Sequence, residues 1–131
     1  MLKVLDASAL LVYLEKEPSY EKVKELFVHA SETEKNILMT AVNWGEVFYI
    51  LVRDYGLEKA EEIQKIIDTF PIELVPADYV LAKQAALYKA RKKLPYADCF
   101  SAALAKLRKA ELVTCDKDFK AVEGEIKIAW V

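Results

Sequence analysis

Short apolar runs alternate along the chain with longer segments in which apolar residues recur three and four positions apart. A compact run bounded by polar or turn residues is typical of a buried strand, and the longer spacing is typical of a helix that packs one face on a core. The short runs predict five strands, at residues 2–5, 37–39, 72–75, 112–114 and 126–129.

The longer period predicts helices between these strands. Gly56 ends one predicted helix, Pro71 stops the next, and Pro95 precedes the last, as expected of residues that terminate or initiate helices. The predicted helices cover approximately residues 9–15, 20–30, 42–55, 57–70, 78–92 and 97–109.

Strands that alternate with helices predict a parallel sheet that is covered on both faces. The expected fold is therefore α/β, a three-layer α/β/α sandwich around a short parallel sheet of four to five strands. A length of 131 residues suits one core, so we expect a single domain over residues 1–131.

Composition narrows the function classes. The net charge of −2 excludes a strongly basic nucleic-acid-binding surface, so any such binding needs a local basic patch or metal ions. There is no apolar run long enough to span a bilayer and no signal-peptide pattern, which predicts a soluble cytoplasmic protein without membrane contact. Cys99 and Cys115 are the only cysteines, and we expect both to be reduced thiols.

Four acidic residues fall where a parallel sheet would gather them. Asp6 and Asp116 follow the first and fourth predicted strands, and Glu46 and Asp98 lie near the starts of two helices. Ligands of open parallel sheets bind beyond the carboxyl ends of the strands. Carboxylates crowded there repel one another unless a cation intervenes, and Mg²⁺ or Mn²⁺ suits a site made only of oxygen ligands.

Each acid also has a purely structural interpretation. Asp98 would cap its helix, and Asp6 would cap the helix that follows it, with Ser8 as a rival cap. Asp116 and Asp118 would be turn residues. Glu46 would lie on a solvated stripe with Asn43 and Arg53, because the three fall on one side of a helix.

Four segments together resemble the PIN-domain ribonucleases, and most closely the VapC-type toxins, over nearly the whole chain. They are, in order, VLDASAL, AVNWGEVFYIL, LPYADCFSAALAK and LVTCDKDF. The resemblance identifies Asp6, Glu46, Asp98 and Asp116 as the catalytic and metal-site acids. It assigns auxiliary roles to Ser8, Thr114 and Asp118.

The resemblance implies an Mg²⁺- or Mn²⁺-dependent endoribonuclease that hydrolyses RNA phosphodiester bonds, as the toxin of a VapBC-type toxin–antitoxin pair. It further implies a homodimer and a cognate antitoxin as partners. For RNA binding, the basic residues Arg91, Lys92 and Lys93 would contact phosphates beside the site, although such a run is more often a solvated helix end.

Two other functions remain open at the level of the sequence. A non-catalytic PIN-like interaction domain would hold the same acids without turnover. A haloacid-dehalogenase-type phosphatase also begins with a strand that ends in Asp, but it requires a second Asp two residues later, where this chain has Ser8.

Overall fold

A computed structural model describes all residues, Met1–Val131, and contains one parallel five-stranded sheet. Its strand order is β3-β2-β1-β4-β5, so the first strand of the chain is the central one. Val4 of β1 pairs with Leu38 of β2 on one side and with Leu112 of β4 on the other. The strands are β1 (Lys3–Leu5), β2 (Ile37–Thr40), β3 (Ile72–Val75), β4 (Glu111–Thr114) and β5 (Lys127–Trp130).

Six α-helices and one 3-10 helix connect the strands. They are α1 (Ala7–Leu14), α2 (Tyr20–Thr33), α3 (Ala41–Tyr55), α4 (Leu57–Ile67), α5 (Tyr79–Arg91), α6 (Tyr96–Leu107) and the 3-10 helix Lys117–Val122 between β4 and β5. The predicted three-layer α/β/α sandwich with a short parallel sheet is confirmed.

Side chains that alternate along the strands divide the core between two faces, as the pleat of a sheet requires. Val4 belongs to a cluster formed with residues of α5 and α6, among them Tyr88 and Leu104. Its neighbour Leu5 belongs to a second cluster, formed with residues of α1 to α4 such as Leu10 and Leu51. Both faces of the sheet are therefore covered, and only its edges and ends remain open to a ligand.

Helix α6 is buried around most of its circumference because most of its residues are small. Cys99, Ala102, Ala103 and Ala105 are at most 1% exposed, and such side chains allow the helix to lie close to the sheet and to its neighbours. The helix begins near the carboxyl ends of the strands, since it runs back to the amino end of β4. It therefore carries Asp98 in its first turn to the edge where the predicted ligand site lies.

The predicted helix ends lie within three residues of the observed ones, with α4 ending at Ile67 and not at residue 70. The turn predicted after β4 is a six-residue 3-10 helix. In helix α3, Val47 and Leu51 are buried, while Tyr49 and Tyr55 are about half exposed.

Both cysteines are free thiols, as predicted, with Cys99 buried and Cys115 partly buried. None of the helices combines the length and the apolar character needed to cross a membrane.

Candidate metal centre

Asp6 follows β1 directly and lies at the carboxyl edge of the sheet, beside the end of β4. Its backbone N–H donates to the carbonyl of Val113, 3.2 Å away, which continues the pairing of the two strands by one residue. The side chain is 2% exposed and caps α1, because Oδ1 accepts a hydrogen bond of 2.9 Å from the N–H of Ala9. The capping interpretation of Asp6 is thus correct, and Ser8 is not the cap.

Two hydroxyl groups hold the Asp6 carboxylate in place. Thr114 Oγ1 donates to Asp6 Oδ2 at 2.6 Å, and Ser8 Oγ lies 2.9 Å from both carboxylate oxygens. The same hydroxyls accept backbone hydrogen bonds from the next strand end, Thr114 Oγ1 from the N–H of Asp116 and Ser8 Oγ from the N–H of Cys115. Ser8 and Thr114 therefore connect the loop after β1 to the loop after β4.

Asp98, Asp116 and Asp118 form a compact cluster at this edge. One carboxylate oxygen from each lies within 4.8 Å of those of the other two. The cluster combines the first turn of α6 with the start of the 3-10 helix, where Asp116 Oδ1 accepts a 2.9 Å hydrogen bond from the N–H of Asp118. The turn interpretation of Asp116 is therefore also correct, and it coexists with membership of the cluster.

Asp98 does not cap its helix, contrary to its structural interpretation. The N-cap position belongs to Pro95, and no side chain caps α6. Asp98 is 8% exposed, and burial raises the pKa of its carboxyl to about 7, with further contributions from the negative charges of Asp116, Asp6, Glu46 and Asp118. The charges of the four other acids therefore all act on Asp98.

Asp6 and Glu46 are close to the three-carboxylate cluster but are not part of it. Burial raises the pKa of Asp6 to about 6, and the charge of Asp116 adds to this effect. Burial also raises the pKa of Glu46, again with a contribution from Asp116. Glu46 Oε1 is buried without a hydrogen-bond partner, so the prediction of a solvated stripe is wrong for Glu46.

These groups fit a divalent cation. The cluster offers only carboxylate oxygens, which are the ligands that Mg²⁺ and Mn²⁺ prefer. A cation would also offset the repulsion that raises the pKa of Asp98, and it would give the unpartnered Glu46 Oε1 an electrostatic partner.

The basic residues predicted to bind RNA are partly engaged within the chain. Arg91 and Lys92 form ion pairs with Glu125, at 3.4 Å and 3.0 Å. Lys93 is exposed. The positive charge that this segment offers to a ligand is therefore smaller than the sequence indicates.

Asn43 was expected on the solvated stripe, but it is fully buried. Its side-chain amide donates to the carbonyl of Ala97 in α6, 2.9 Å away. The one sequence feature that could have indicated this burial is the position of Asn43 in the first turn of a largely apolar helix, one helical turn before Glu46. The periodicity of α3 alone could not show that α6 covers this position.

Comparison with known proteins agrees with the fold. The profile of the PIN domain family matches residues 3–125. A sequence search of curated proteins finds no match.

Solved structures that are similar to this chain share its fold at low sequence identity. A DNA-bound VapBC from Salmonella typhimurium is 20% identical with a TM-score of 0.79, over 98% of both chains. VapBC2 from Rickettsia felis, bound to a DNA fragment from its promoter, is 17% identical with a TM-score of 0.79, over 100% of this chain and 99% of that one. Mycobacterium tuberculosis VapC20, a toxin that cleaves the sarcin-ricin loop, is 18% identical with a TM-score of 0.73, over 92% and 94%.

The chain belongs to the PIN domain family, since the matched residues cover nearly all of it. This membership argues against the haloacid-dehalogenase-type phosphatase as an explanation of the acid after β1, as does Ser8 at the position where that phosphatase requires a second Asp.

Proposed function

We propose that this protein is an Mg²⁺- or Mn²⁺-dependent endoribonuclease and the toxin of a VapBC-type toxin–antitoxin pair. The observation that carries the proposal is the cluster of Asp98, Asp116 and Asp118 at the carboxyl edge of a PIN-domain sheet. A carboxyl with a pKa of about 7 is costly in a folded protein, and raised pKa values of this kind concentrate at functional sites.

The acids divide into two groups by their surroundings. Asp98, Asp116 and Asp118 would hold the ion, because their oxygens converge. When bound, a divalent ion activates water and neutralises negative charge on a phosphodiester. Asp6 would add a further negative charge beside the ion, and hydrogen bonds from Thr114 and Ser8 would hold its carboxylate in one orientation.

Glu46 would ligate the ion or accept the proton of the attacking water. Its carboxyl is partly buried and its Oε1 has no hydrogen-bond partner, so this oxygen remains available for either role. Burial raises the pKa of Glu46, which makes its carboxylate a stronger base than an exposed one.

RNA as the substrate is supported by family membership and by the similarity to a toxin that cleaves the sarcin-ricin loop. Lys93 is the basic residue of the 91–93 segment without an ion pair, and it would contact a phosphate beside the site. Because Asp118 is exposed and Asp116 is partly exposed, the cluster would be accessible to a single-stranded or looped RNA segment.

An antitoxin partner is supported by the similar VapBC complexes and by an apolar groove between the α1–α2 and α3–α4 pairs. A groove of this kind suits the apolar face of a partner helix. The groove is lined by Tyr13, Tyr20, Leu51, Tyr55, Ile63 and Ile66, among others.

We also propose a homodimer, which sedimentation at micromolar concentration would test.

The central experiment is cleavage of labelled cellular RNA by the purified protein with Mn²⁺, with Mg²⁺ and with EDTA. We expect cleavage with either ion, none in EDTA, and a loss of at least about 100-fold for Asp98→Asn. Asp68→Asn is the matched control, because Asp68 is an exposed acid at the end of α4. Mn²⁺ binding without any cleavage by the wild-type protein would favour the non-catalytic interaction domain.

A further inference from the structure

Asn43 connects two of the elements that carry the site acids. It lies in the first turn of α3, where its N–H donates to Thr40 Oγ1 at 3.0 Å and thereby starts the helix. The Thr40 hydroxyl in turn donates to Asn43 Oδ1. This reciprocal pair fixes the orientation of the Asn43 side chain, since both residues are fully buried.

The remaining donor of Asn43 reaches across to α6. Its Nδ2 donates to the carbonyl of Ala97 at 2.9 Å, and that carbonyl belongs to the peptide group that joins Ala97 to Asp98. Glu46 lies three residues after Asn43, on the same face of α3. A single amide side chain therefore sets the distance between the backbone that carries Glu46 and the backbone that carries Asp98.

The charges of the site give this connection its importance. Glu46 and Asp98 are carried by the two backbone segments that the Asn43 bond joins, and their carboxylates repel each other when ionised. That repulsion acts to separate the starts of α3 and α6. The Asn43 bond opposes the separation, and a buried amide is costly enough that an apolar side chain would serve better if only packing mattered.

We propose that Asn43 is a positioning residue, which holds the first turn of α6 against the first turn of α3 so that Asp98 and Glu46 face one divalent cation. The inference rests on the proposed function, because it concerns the geometry of that same site. Asn43 does not touch the ion or the substrate. It acts through the Ala97–Asp98 peptide group.

The test compares Asn43→Leu, which keeps the side-chain size and removes the amide, with Val23→Ala as the control. Val23 is a buried core residue of α2, so its truncation destabilises the fold and leaves the connection between α3 and α6 intact. Asn43→Ser is the milder second variant, because a serine hydroxyl is too short to span the gap to Ala97. Mn²⁺ affinity is measured by calorimetry, and kcat and KM are measured on a labelled RNA.

We expect both Asn43 variants to weaken Mn²⁺ binding by about 10-fold or more, as substitutions around metal ligands do. The kcat should fall while the KM for RNA stays within twofold, and Val23→Ala should keep wild-type values of both at a temperature where it is folded. Folded Asn43 variants that bind Mn²⁺ as the wild type does would overturn the inference.

The two proposals fail separately. Wild-type protein that binds Mn²⁺ but cleaves no RNA would overturn the nuclease function, and the calorimetric comparison would still decide the role of Asn43. Wild-type cleavage combined with unchanged Mn²⁺ affinity in Asn43→Leu and Asn43→Ser would overturn the positioning role alone.

Discussion

Thr114 donates a 2.6 Å hydrogen bond to Asp6, a residue 108 positions away in the sequence. The bond favours the ionised form of Asp6 and partly offsets the burial that raises the pKa of this carboxyl to about 6. Thr114 also accepts the N–H of Asp116, so one hydroxyl group stabilises the loops that carry two of the site acids.

We expect Thr114→Val to lower the free energy of unfolding by roughly 2 kcal/mol at pH 8, because hydrogen bonds to charged groups contribute about this amount. The loss should be smaller at pH 5, where Asp6 is protonated and has less need of the donor. Urea unfolding at the two pH values measures the effect. Thr114→Ser keeps the hydroxyl and should be close to wild type, and equal losses for Val and Ser would contradict the role of the bond.

The stability of the metal-free protein should fall as the pH rises from about 4 to about 7. The pKa values of Asp6 and Asp98 are raised from 3.8 to about 6 and about 7, so the folded state binds more protons than the unfolded chain over this interval. For Asp98 alone, the rise of its pKa from 3.8 to about 7 corresponds to roughly 4 kcal/mol.

Urea unfolding in EDTA from pH 4.5 to 8 tests this slope. We expect Asp98→Asn to flatten the profile and to be more stable than the wild type at pH 8, whereas the exposed Asp68→Asn should keep the wild-type slope. Added Mn²⁺ should restore wild-type stability at pH 8. Parallel profiles for wild type and Asp98→Asn would show that Asp98 is not forced into its protonated form.

Asp118 should contribute directly to cation binding, because its carboxylate oxygen lies in the cluster with those of Asp98 and Asp116. We expect Asp118→Asn to weaken Mn²⁺ binding by about 10-fold, equivalent to about 1.4 kcal/mol. Calorimetric titration with Mn²⁺ measures the change, with Asp68→Asn again as the control. An unchanged Mn²⁺ affinity would mean that Asp118 is only a turn residue.

Replacement of Arg91, Lys92 and Lys93 by Ala should reduce the salt dependence of RNA binding, by up to about 2 in the log–log slope if all three contact a single strand. Because Arg91 and Lys92 are paired with Glu125, we expect a reduction below 1. Binding of a labelled RNA between 50 and 300 mM salt measures the slope at about pH 7. The control replaces Lys106, Arg108 and Lys109, and an unchanged slope in the first variant would exclude the contact.

The sequence predicted the fold because each element has its own local signal. Gly56 ends α3 with a positive φ of 87°. Each short apolar run becomes a strand whose successive side chains pack on opposite faces of the sheet, as Val4 and Leu5 illustrate. The sequence placed Asp6 and Asp116 directly after two predicted strands, and the structure shows that these strands, β1 and β4, are neighbours.

The details of the site depended on contacts that local patterns do not encode. Asp118 joins the cluster because the turn after β4 is a 3-10 helix that brings its carboxylate beside that of Asp116. Asn43 and Glu46 looked solvated on the helical wheel, because that projection omits the packing of α6 over the start of α3. Their burial depends on the packing of α3 against α6, which includes the hydrogen bond between Asn43 and Ala97, 54 positions apart in the sequence.

The central position of β1 has a consequence during synthesis. During synthesis β1 must wait for β4 before its neighbour on that side exists, and Asp116 and Asp118 are made only after β4. A nascent chain that has not reached residue 116 therefore lacks two of the three carboxylates that would trap an ion, so the proposed site would form only after β4 has joined the sheet.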